Sequence, residues 1–433
     1  MSDVLFIEGG RVIDPASGVD GVRTVVIRDG KVAEVAERVE RPRDARALDA
    51  RNRWVTPGFV DLHVHLREPG QEYKETIATG ARSAVAGGFT SICAMPNTKP
   101  VNDNASVTEL VLARAAAAGF ARVLPVGCIS RAQEGHDLAE FGELKAAGCV
   151  ALSDDGKPVA SSSLMRRALE YARAFGLPLA VHEEDALLVG KGVMHEGPTA
   201  TRLGLKGIPG AAEDVMILRD LALLELTGGR LHVQHVSTLG GVRAIREAKK
   251  RGLQVTAEAT PHHLALTDED VATSGYDPDF KMNPPLRSAD DVRAVREGLA
   301  DGTIDAIATD HAPHSAVEKD LEFDAAMNGI VGLETAFPVC LELVRKGDLT
   351  ERRLIEALTA GPARAFGLAA GTLARGAAAD LAVLDPAAEW VVDPARLFSK
   401  SRNTPWKGRR LTGRCAYTVV GGRIVHGEDR AER

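Results

Sequence analysis

The stretch FVDLHVHLREPG, Phe59 to Gly70, sets His63, His65 and Arg67 at alternate positions where an apolar run ends. In an extended strand alternate side chains share a face, so the three point together. Imidazole suits zinc and its neighbours, and one strand can supply two ligands at a fixed separation. Other apolar runs end in the same way. LPLAVHEED stops at His182, LHVQHVST carries His232 and His235, CVALSDDGKP gives Asp154 and Asp155, and IDAIATDHAPH reaches Asp310, His311 and His314. The chain has 12 histidines. Their clustering at run ends favours a metal site over scattered structural histidines. Four histidines and two aspartates exceed what one catalytic metal with an open position takes. They suit two metals about 3.5–4 Å apart, bridged by a carboxylate and a solvent molecule. The Asp154-Asp155 pair can supply that carboxylate. Two divalent ions would pull the shared water's pKa from about 15.7 towards about 7, giving a nucleophile for an acyl carbon. Asp310 can touch the metal and still pass a proton to a leaving nitrogen.

Arg67 has two readings. It is a surface arginine paired with Glu68 or Glu72, or it recognises an anion, since guanidinium binds carboxylates through paired hydrogen bonds. Asn97 in AMPNT and His314 add donors at the same rim. No P-loop or dinucleotide glycine fingerprint occurs, so a carboxylate fits this set better than a phosphate.

Side chains from so many segments need a scaffold that brings strand ends together. Between about Trp54 and Leu368, eight apolar runs of strand length alternate with helical patterns. SSLMRRALEYARAFG, AEDVMILRDLALLELTGG, GGVRAIREAKKRG and SADDVRAVREGLADG repeat apolar residues every three or four positions, and several end in Gly. Gly87-Gly88 reads as a helix end before the second run. This order predicts an α/β fold, a (β/α)8 TIM-like barrel with its reaction site at the C-terminal strand ends. A doubly wound open sheet is the rival, but it would gather polar residues at one crevice. VLFIEGGRVID and TVVIRDGKVAEVA at one end, with DLAVLD and YTVVGGRIVHG at the other, read as strands with turns at Asp29-Gly30 and Gly421-Gly422. Neither end has enough apolar surface to stand alone, so both are expected to form one small β-sandwich domain. The expected division is 1–54 and 369–433 for that domain and 55–368 for the barrel. The segment SAVEKDLEFDAAMNG reads as a long loop that closes over the site as a lid.

With 433 residues, 45% of them hydrophobic, the chain exceeds what one compact core needs. Its formal net charge of −7 is spread out, without a basic face for nucleic acid or an acidic tail. Its five cysteines are scattered, with no CxxC, and read as buried reduced thiols of a cytoplasmic protein. No signal peptide is evident, and no apolar run is long enough to span a bilayer.

GFVDLHVHLREPG, AMPNT, SDDGKPV, VHEED, HVSTLGGV, TPHHLALT, MNPPLR, IATDHAPH and GIVGLETAFP together resemble the bacterial class I dihydroorotases of the amidohydrolase superfamily. The likeness covers nearly the whole chain, with the motifs in order. It implies zinc-dependent, reversible cyclisation of N-carbamoyl-L-aspartate to L-dihydroorotate, a step of pyrimidine synthesis. By motif, His63, His65 and Asp310 would hold one zinc and His182 and His235 the other, with Asp155 bridging and Asp154 orienting it. His65, Arg67, Asn97, Asn283 and His314 would hold substrate, with the free carboxylate on Arg67, Asn97 and His314. Asp310 would be the general acid/base. Related hydantoinases and allantoinases bridge their metals with a carboxylated lysine; here Lys157 lies beyond Gly156, so an aspartate bridge is expected. The family often has Phe-Gly before IVGLE, where this chain has Asn328-Gly329. Gly329 is expected to offer its backbone to the substrate ring, and Asn328 alters the pocket wall. A homodimer is common among such relatives. Some relatives resemble inactive partners of aspartate transcarbamoylase, but those lose ligands that this chain keeps. His232, His262, His263 and His311 are expected to make structural hydrogen bonds, and His136, His195 and His426 to lie in loops or on the surface.

Overall fold

The structure, a computed structural model, describes residues 4–42 and 45–427. Its first strands are β1 (Val4–Asp14), β2 (Val19–Arg28), β3 (Lys31–Ala36), β4 (Arg46–Asp49) and β5 (Trp54–Pro57). Then come β6 (Phe59–Val64), β7 (Phe89–Ala94), β8 (Arg122–Gly127), β9 (Ala151–Leu152) and β10 (Leu179–Val181). A short pair, β11 (Met194–His195) and β12 (Gly207–Ile208), precedes β13 (Leu231–Val233), β14 (Val255–Ala259) and β15 (Ala306–Ile307). The last three are β16 (Leu381–Val391), β17 (Arg410–Val420) and β18 (Arg423–Gly427).

The eight apolar runs become β6, β7, β8, β9, β10, β13, β14 and β15, paired in that order and parallel throughout. A parallel bridge between Val64 and His311, with the His65 N–H donating to the His311 carbonyl at 2.8 Å, brings the last strand back to the first. The sheet is therefore a barrel rather than an open doubly wound sheet. Its helices start and stop where their residue types dictate. The helix Ser162–Phe175 opens on Ser161, whose hydroxyl accepts from the Leu164 N–H, and closes at Gly176 in the left-handed region. It buries Leu164, Met165, Ala168, Leu169 and Ala172, a stripe at three- and four-residue spacing. Truncating the wholly buried Leu169 to Ala would cost about 2–5 kcal/mol.

Val60, Leu62, Cys93, Val126, Ala151, Ala180, Ala306 and Ala308 form one buried cluster with Phe366. Side chains from so many strands of a ring meet only inside it, so the interior is packed with small residues that leave room for polar groups higher up.

The two chain ends share one eight-stranded sheet, ordered β18-β17-β16-β5-β1-β2-β3, with β4 beside β1. It has its own core, including Ile7, Val12, Val25, Ile27, Val55, Leu381, Val383 and Val419. Asp29-Gly30 and Gly421-Gly422 all have positive φ, as the two hairpin turns require. β5 pairs with both β1 and β16, so the division expected at 54/55 falls inside it. All five cysteines are buried and free. Among the described residues no helix is long and apolar enough to cross a membrane. Two histidines depart from expectation. His195 lies on β11, and His426 lies on β18, partly buried with its ring edge-on to Phe398.

Candidate metal centre and active site

Asp155 is the hub. Its Oδ1 lies 3.3 Å from His63 Nε2, 3.6 Å from His235 Nε2 and 3.7 Å from His182 Nδ1, and its Oδ2 lies 3.3 Å from His65 Nε2. The ligand atoms of His63, His65 and Asp155 all lie within 4.8 Å of one another, as do those of Asp155, His182 and His235. Asp310 Oδ1 approaches His65 Nε2 at 3.1 Å and His63 Nε2 at 3.5 Å. Burial alone would raise the Asp310 carboxyl, but the surrounding histidines outweigh it and hold it below the usual carboxylate range. His63 Nε2 and Asp155 Oδ1 are buried and lack hydrogen-bond partners. Unpaired polar atoms at such depth are costly. A cation between them removes that cost, so this donor set fits metal binding.

Local structure aims these groups. β6 ends at Val64, so strand alternation does not by itself carry the face from His63 on to His65 and Arg67. Arg67 turns into the cavity through a left-handed backbone, φ 60°. His235 (φ 31°) and Asp310 (φ 47°) are also non-glycine residues at positive φ. Such conformations cost about 1–3 kcal/mol each and persist where surrounding contacts enforce them. Asp61 supplies one such contact: it accepts from the His63 N–H at 3.0 Å and from Thr309 Oγ1 at 2.6 Å, tying β6 to the segment that carries Asp310. Behind His235, Glu213 accepts from the Ser237 N–H at 2.8 Å and pairs with the buried Arg287 at 3.2 Å. Asp154 accepts from the N–H groups of Ile129 and Ser130. Lys157 donates to the Gln133 carbonyl at 3.3 Å, away from the site.

Above the hub lies a cavity of about 200 Å³, lined by His65, Arg67, Asn97, Asp155, His182, His235, Asn283, Asp310, His314, Asn328 and Gly329. His63 is fully buried and does not line it. Larger clefts of about 530 and 400 Å³ lie elsewhere and lack such a donor set. Arg67 does not pair with its neighbouring carboxylates. Glu68 accepts from the Ile77 N–H and Glu72 from the Gly70 N–H. Arg67 Nε instead donates to the Pro313 carbonyl at 3.1 Å, and Nη2 to His314 Nε2 at 3.3 Å. Burial and the Arg67 charge push His314 down, so it accepts as a neutral ring. With Nε2 towards the hub, His65 carries its hydrogen on Nδ1 and donates to Asn97 Oδ1 at 2.8 Å. That fixes the Asn97 amide with its NH2 free to donate. Asn283 Nδ2 lies 3.5 Å from His182 Nε2.

Gly329 departs from expectation. Its N–H already donates to the Lys281 carbonyl, and its own carbonyl accepts from Lys319 Nζ and Asn403 Nδ2. Its contribution is shape: at φ 111°, a Cβ there would meet the Ala312 Cβ at 2.6 Å. The loop from Ser315 to Gly329 is also less open than its sequence suggests, with a helical turn at Ala316–Lys319 and Lys319 Nζ bonded to three carbonyls. His232, His263 and His311 make buried hydrogen bonds, as expected. Sequence reasoning missed Asp61, Glu213 and Glu258. Each is a buried carboxylate, and for Asp61 and Glu258 the available signal was an acidic residue inside an apolar strand run.

Residues 52–240 match the family described as Dihydro-orotase-like. The chain is 84% identical over 433 residues to a dihydroorotase of Anaeromyxobacter sp., covering all of both chains. It is 54% identical over 425 residues to that of Geotalea daltonii, covering 98% of this chain and 100% of the relative. Among solved structures it is similar to the L-hydantoinase (dihydropyrimidinase) from Arthrobacter aurescens, with a TM-score of 0.89, 27% identity, and 99% and 97% of the two chains covered. The D-hydantoinase from Thermus sp. shares the fold at a TM-score of 0.83 and 24% identity, over 98% and 96% of the chains. The sequence relatives and the L-hydantoinase thus agree on a cyclic amide hydrolase, and identity along the full length decides between them: the chain belongs to the dihydroorotase family.

Proposed function

We propose that the cavity interconverts N-carbamoyl-L-aspartate and L-dihydroorotate, as a class I dihydroorotase with two zinc ions per chain. The observation that carries this reading is that Arg67, Asn97 and His314 share one cavity with Asp155 and Asp310. In it, His63, His65 and Asp310 would hold one ion and His182 and His235 the other, with Asp155 placed to serve both. Bound ions would supply hydroxide at neutral pH and polarise the amide carbonyl.

The protein's own groups do the rest. Arg67, the Asn97 amide and His314 hold the carboxylate beside the ring nitrogen, and Asn283 and the Asn328-Gly329 wall confine the ring. Water attacks the ring carbonyl and its proton passes to the Asp310 carboxylate. As the C–N bond breaks, Asp310 delivers that proton to the departing nitrogen. Cyclisation runs the same transfers backwards. The loop 315–329 excludes bulk water while substrate is held.

A hydantoinase or allantoinase reading lacks a use for Arg67, because those substrates have no carboxylate beside the ring nitrogen. An inactive scaffold for aspartate transcarbamoylase would not need all six ligands. Assay of the purified protein on dihydroorotate and hydantoin, with metal analysis, separates the three. The expected result is two zinc ions per chain and turnover of dihydroorotate. Hydantoin turnover alone would favour the second reading, and metal without turnover the third.

The same reading includes a cytoplasmic enzyme, in keeping with five unpaired buried thiols. It divides the chain into a sheet domain built from the two ends, β5 included, and the barrel between them. It also includes a homodimer: Val215, Leu218 and Leu226 form an exposed apolar strip along the helix Ala211–Thr227. Co-purification with aspartate transcarbamoylase tests the remaining partner.

A further inference from the structure

Beneath the proposed metal centre a polar column runs down through the barrel interior. Glu258, on β14 and fully buried, meets His63 Nδ1 through Oε1 at 2.9 Å and His232 Nε2 through Oε2 at 3.0 Å. His232, on β13 and also fully buried, meets Thr256 Oγ1 through Nδ1 at 2.8 Å. The strand register explains the alignment: His232 pairs with Thr256, and Glu258 with Ala306, so these side chains enter the ring together.

The column settles which His63 nitrogen bears hydrogen. A carboxylate only accepts, so His63 Nδ1 is the donor to Glu258 and His232 Nε2 is the second donor. Gln234 Nε2 also lies 3.2 Å from His63 Nδ1, but Gln234 is committed elsewhere, its Oε1 accepting from Ser153 Oγ and its Nε2 facing Met95 Sδ. In the neutral ring, hydrogen on Nδ1 leaves a lone pair on His63 Nε2. It faces Asp155 Oδ1, which is also an acceptor, across 3.3 Å, and neither atom has a hydrogen-bond partner. In that tautomer two acceptors face each other, and a metal cation between them satisfies both.

We infer that Glu258, braced by His232, is a positioning residue that holds His63 in the metal-binding tautomer and so builds the His63–His65 ion site. This inference rests on the two-ion reading proposed above. It predicts a selective defect, because among the described residues the Glu258 carboxylate bonds to His63 and His232 and to neither His182 nor His235. Loss of an outer carboxylate behind a ligating histidine typically weakens metal binding about 10–100-fold.

The test measures zinc affinity of the full-length protein by chelator competition, site by site, in wild type, Glu258→Gln, Glu258→Leu and His232→Gln. Glu258→Leu is expected to bind one of its two ions about 10–100-fold more weakly and the other as wild type does. Glu258→Gln, which keeps an acceptor towards His63, should fall between wild type and the Leu variant. His232→Gln should weaken the same single ion by a smaller factor. Circular dichroism of the metal-free proteins checks folding, and the near-isosteric Gln variants keep the test decisive should Glu258→Leu not fold. Affinities within twofold of wild type for both ions, or an equal loss at both, would overturn the positioning role while leaving the two-ion reading intact. A wild type that binds fewer than two ions would overturn that reading and this inference together.

Discussion

Arg67 and Asp310 make separable contributions at the scale of single residues. The Arg67 guanidinium is anchored to the Pro313 carbonyl and to His314, and neither Glu68 nor Glu72 neutralises it. Hydrogen bonds to charged groups contribute about 1.5–3 kcal/mol each, so losing a paired contact to a carboxylate costs on the order of 10²-fold or more. Arg67→Met should therefore lower kcat/KM for dihydroorotate about 10²-fold or more while zinc content stays at the wild-type value. Steady-state kinetics with metal analysis reads both, and an unchanged KM would remove Arg67 from carboxylate recognition. Asp310 is different, because its Oδ1 lies against both His65 and His63 and faces the cavity. Asp310→Asn removes a proton acceptor at nearly constant shape, and general acid–base groups contribute about 10²–10⁴-fold. Turnover should fall within that range; a loss smaller than tenfold would take proton transfer away from this residue.

At the scale of elements, a loop that reads as open sequence is held by two buried lysines. Lys319 Nζ donates to the carbonyls of Pro278, Met327 and Gly329, and Lys281 Nζ to those of Asp324 and Ala326. These bonds bind the segment 315–329 to the turn at Pro278–Phe280 and set the Asn328-Gly329 wall of the cavity. Lys319→Met leaves three carbonyls without their donor, and even one net bond of about 1.4 kcal/mol is worth tenfold in opening. Limited proteolysis should cut between residues 315 and 329 about tenfold faster in the variant. Equal rates would mean that the lysine does not hold the loop. Such clamps mark where sequence stops being legible. The barrel strands were readable because buried parallel strands are apolar runs with polar ends, and most of the donor set was readable because its histidines and aspartates sit at those ends. The acceptors of Lys319 are backbone atoms, which carry no sequence signal. Glu258 and Asp61 take partners from strands far away in the chain, so their roles follow only from how the ring closes. Arg67 points into the cavity through a positive φ that its residue type does not announce.

Across the whole molecule, the barrel and the C-terminal segment meet at Glu334. Its Oε1 accepts from Ser83 Oγ at 2.8 Å, on the helix Ile77–Ala86, and from the Phe398 N–H at 2.8 Å, between β16 and β17. The side chain lies beside the cleft that also holds Phe398 and His426. Burial raises its carboxyl to about 7, against the lowering effect of those donors. An acid whose folded pKa lies above its unfolded value binds more protons in the native state, so its contribution to stability is fully present below the unfolded pKa of about 4.3 and is lost as pH rises towards 7. At about 1.4 kcal/mol per pH unit over the roughly 2.7 units between those values, the loss is on the order of 4 kcal/mol. Glu334→Gln keeps an acceptor for Ser83 and Phe398 and does not ionise. It should therefore be more stable than wild type by about that amount at pH 8, with the advantage shrinking as pH falls from 7 and gone near pH 4.5. Taking the difference between the two proteins at each pH cancels the titration of the metal-centre residues, which are the same in both. Thermal or denaturant melts across that range measure it. A difference that stays constant with pH would mean that Glu334 is ionised in the fold at neutral pH, with the Ser83 and Phe398 donors outweighing the cost of burying its charge.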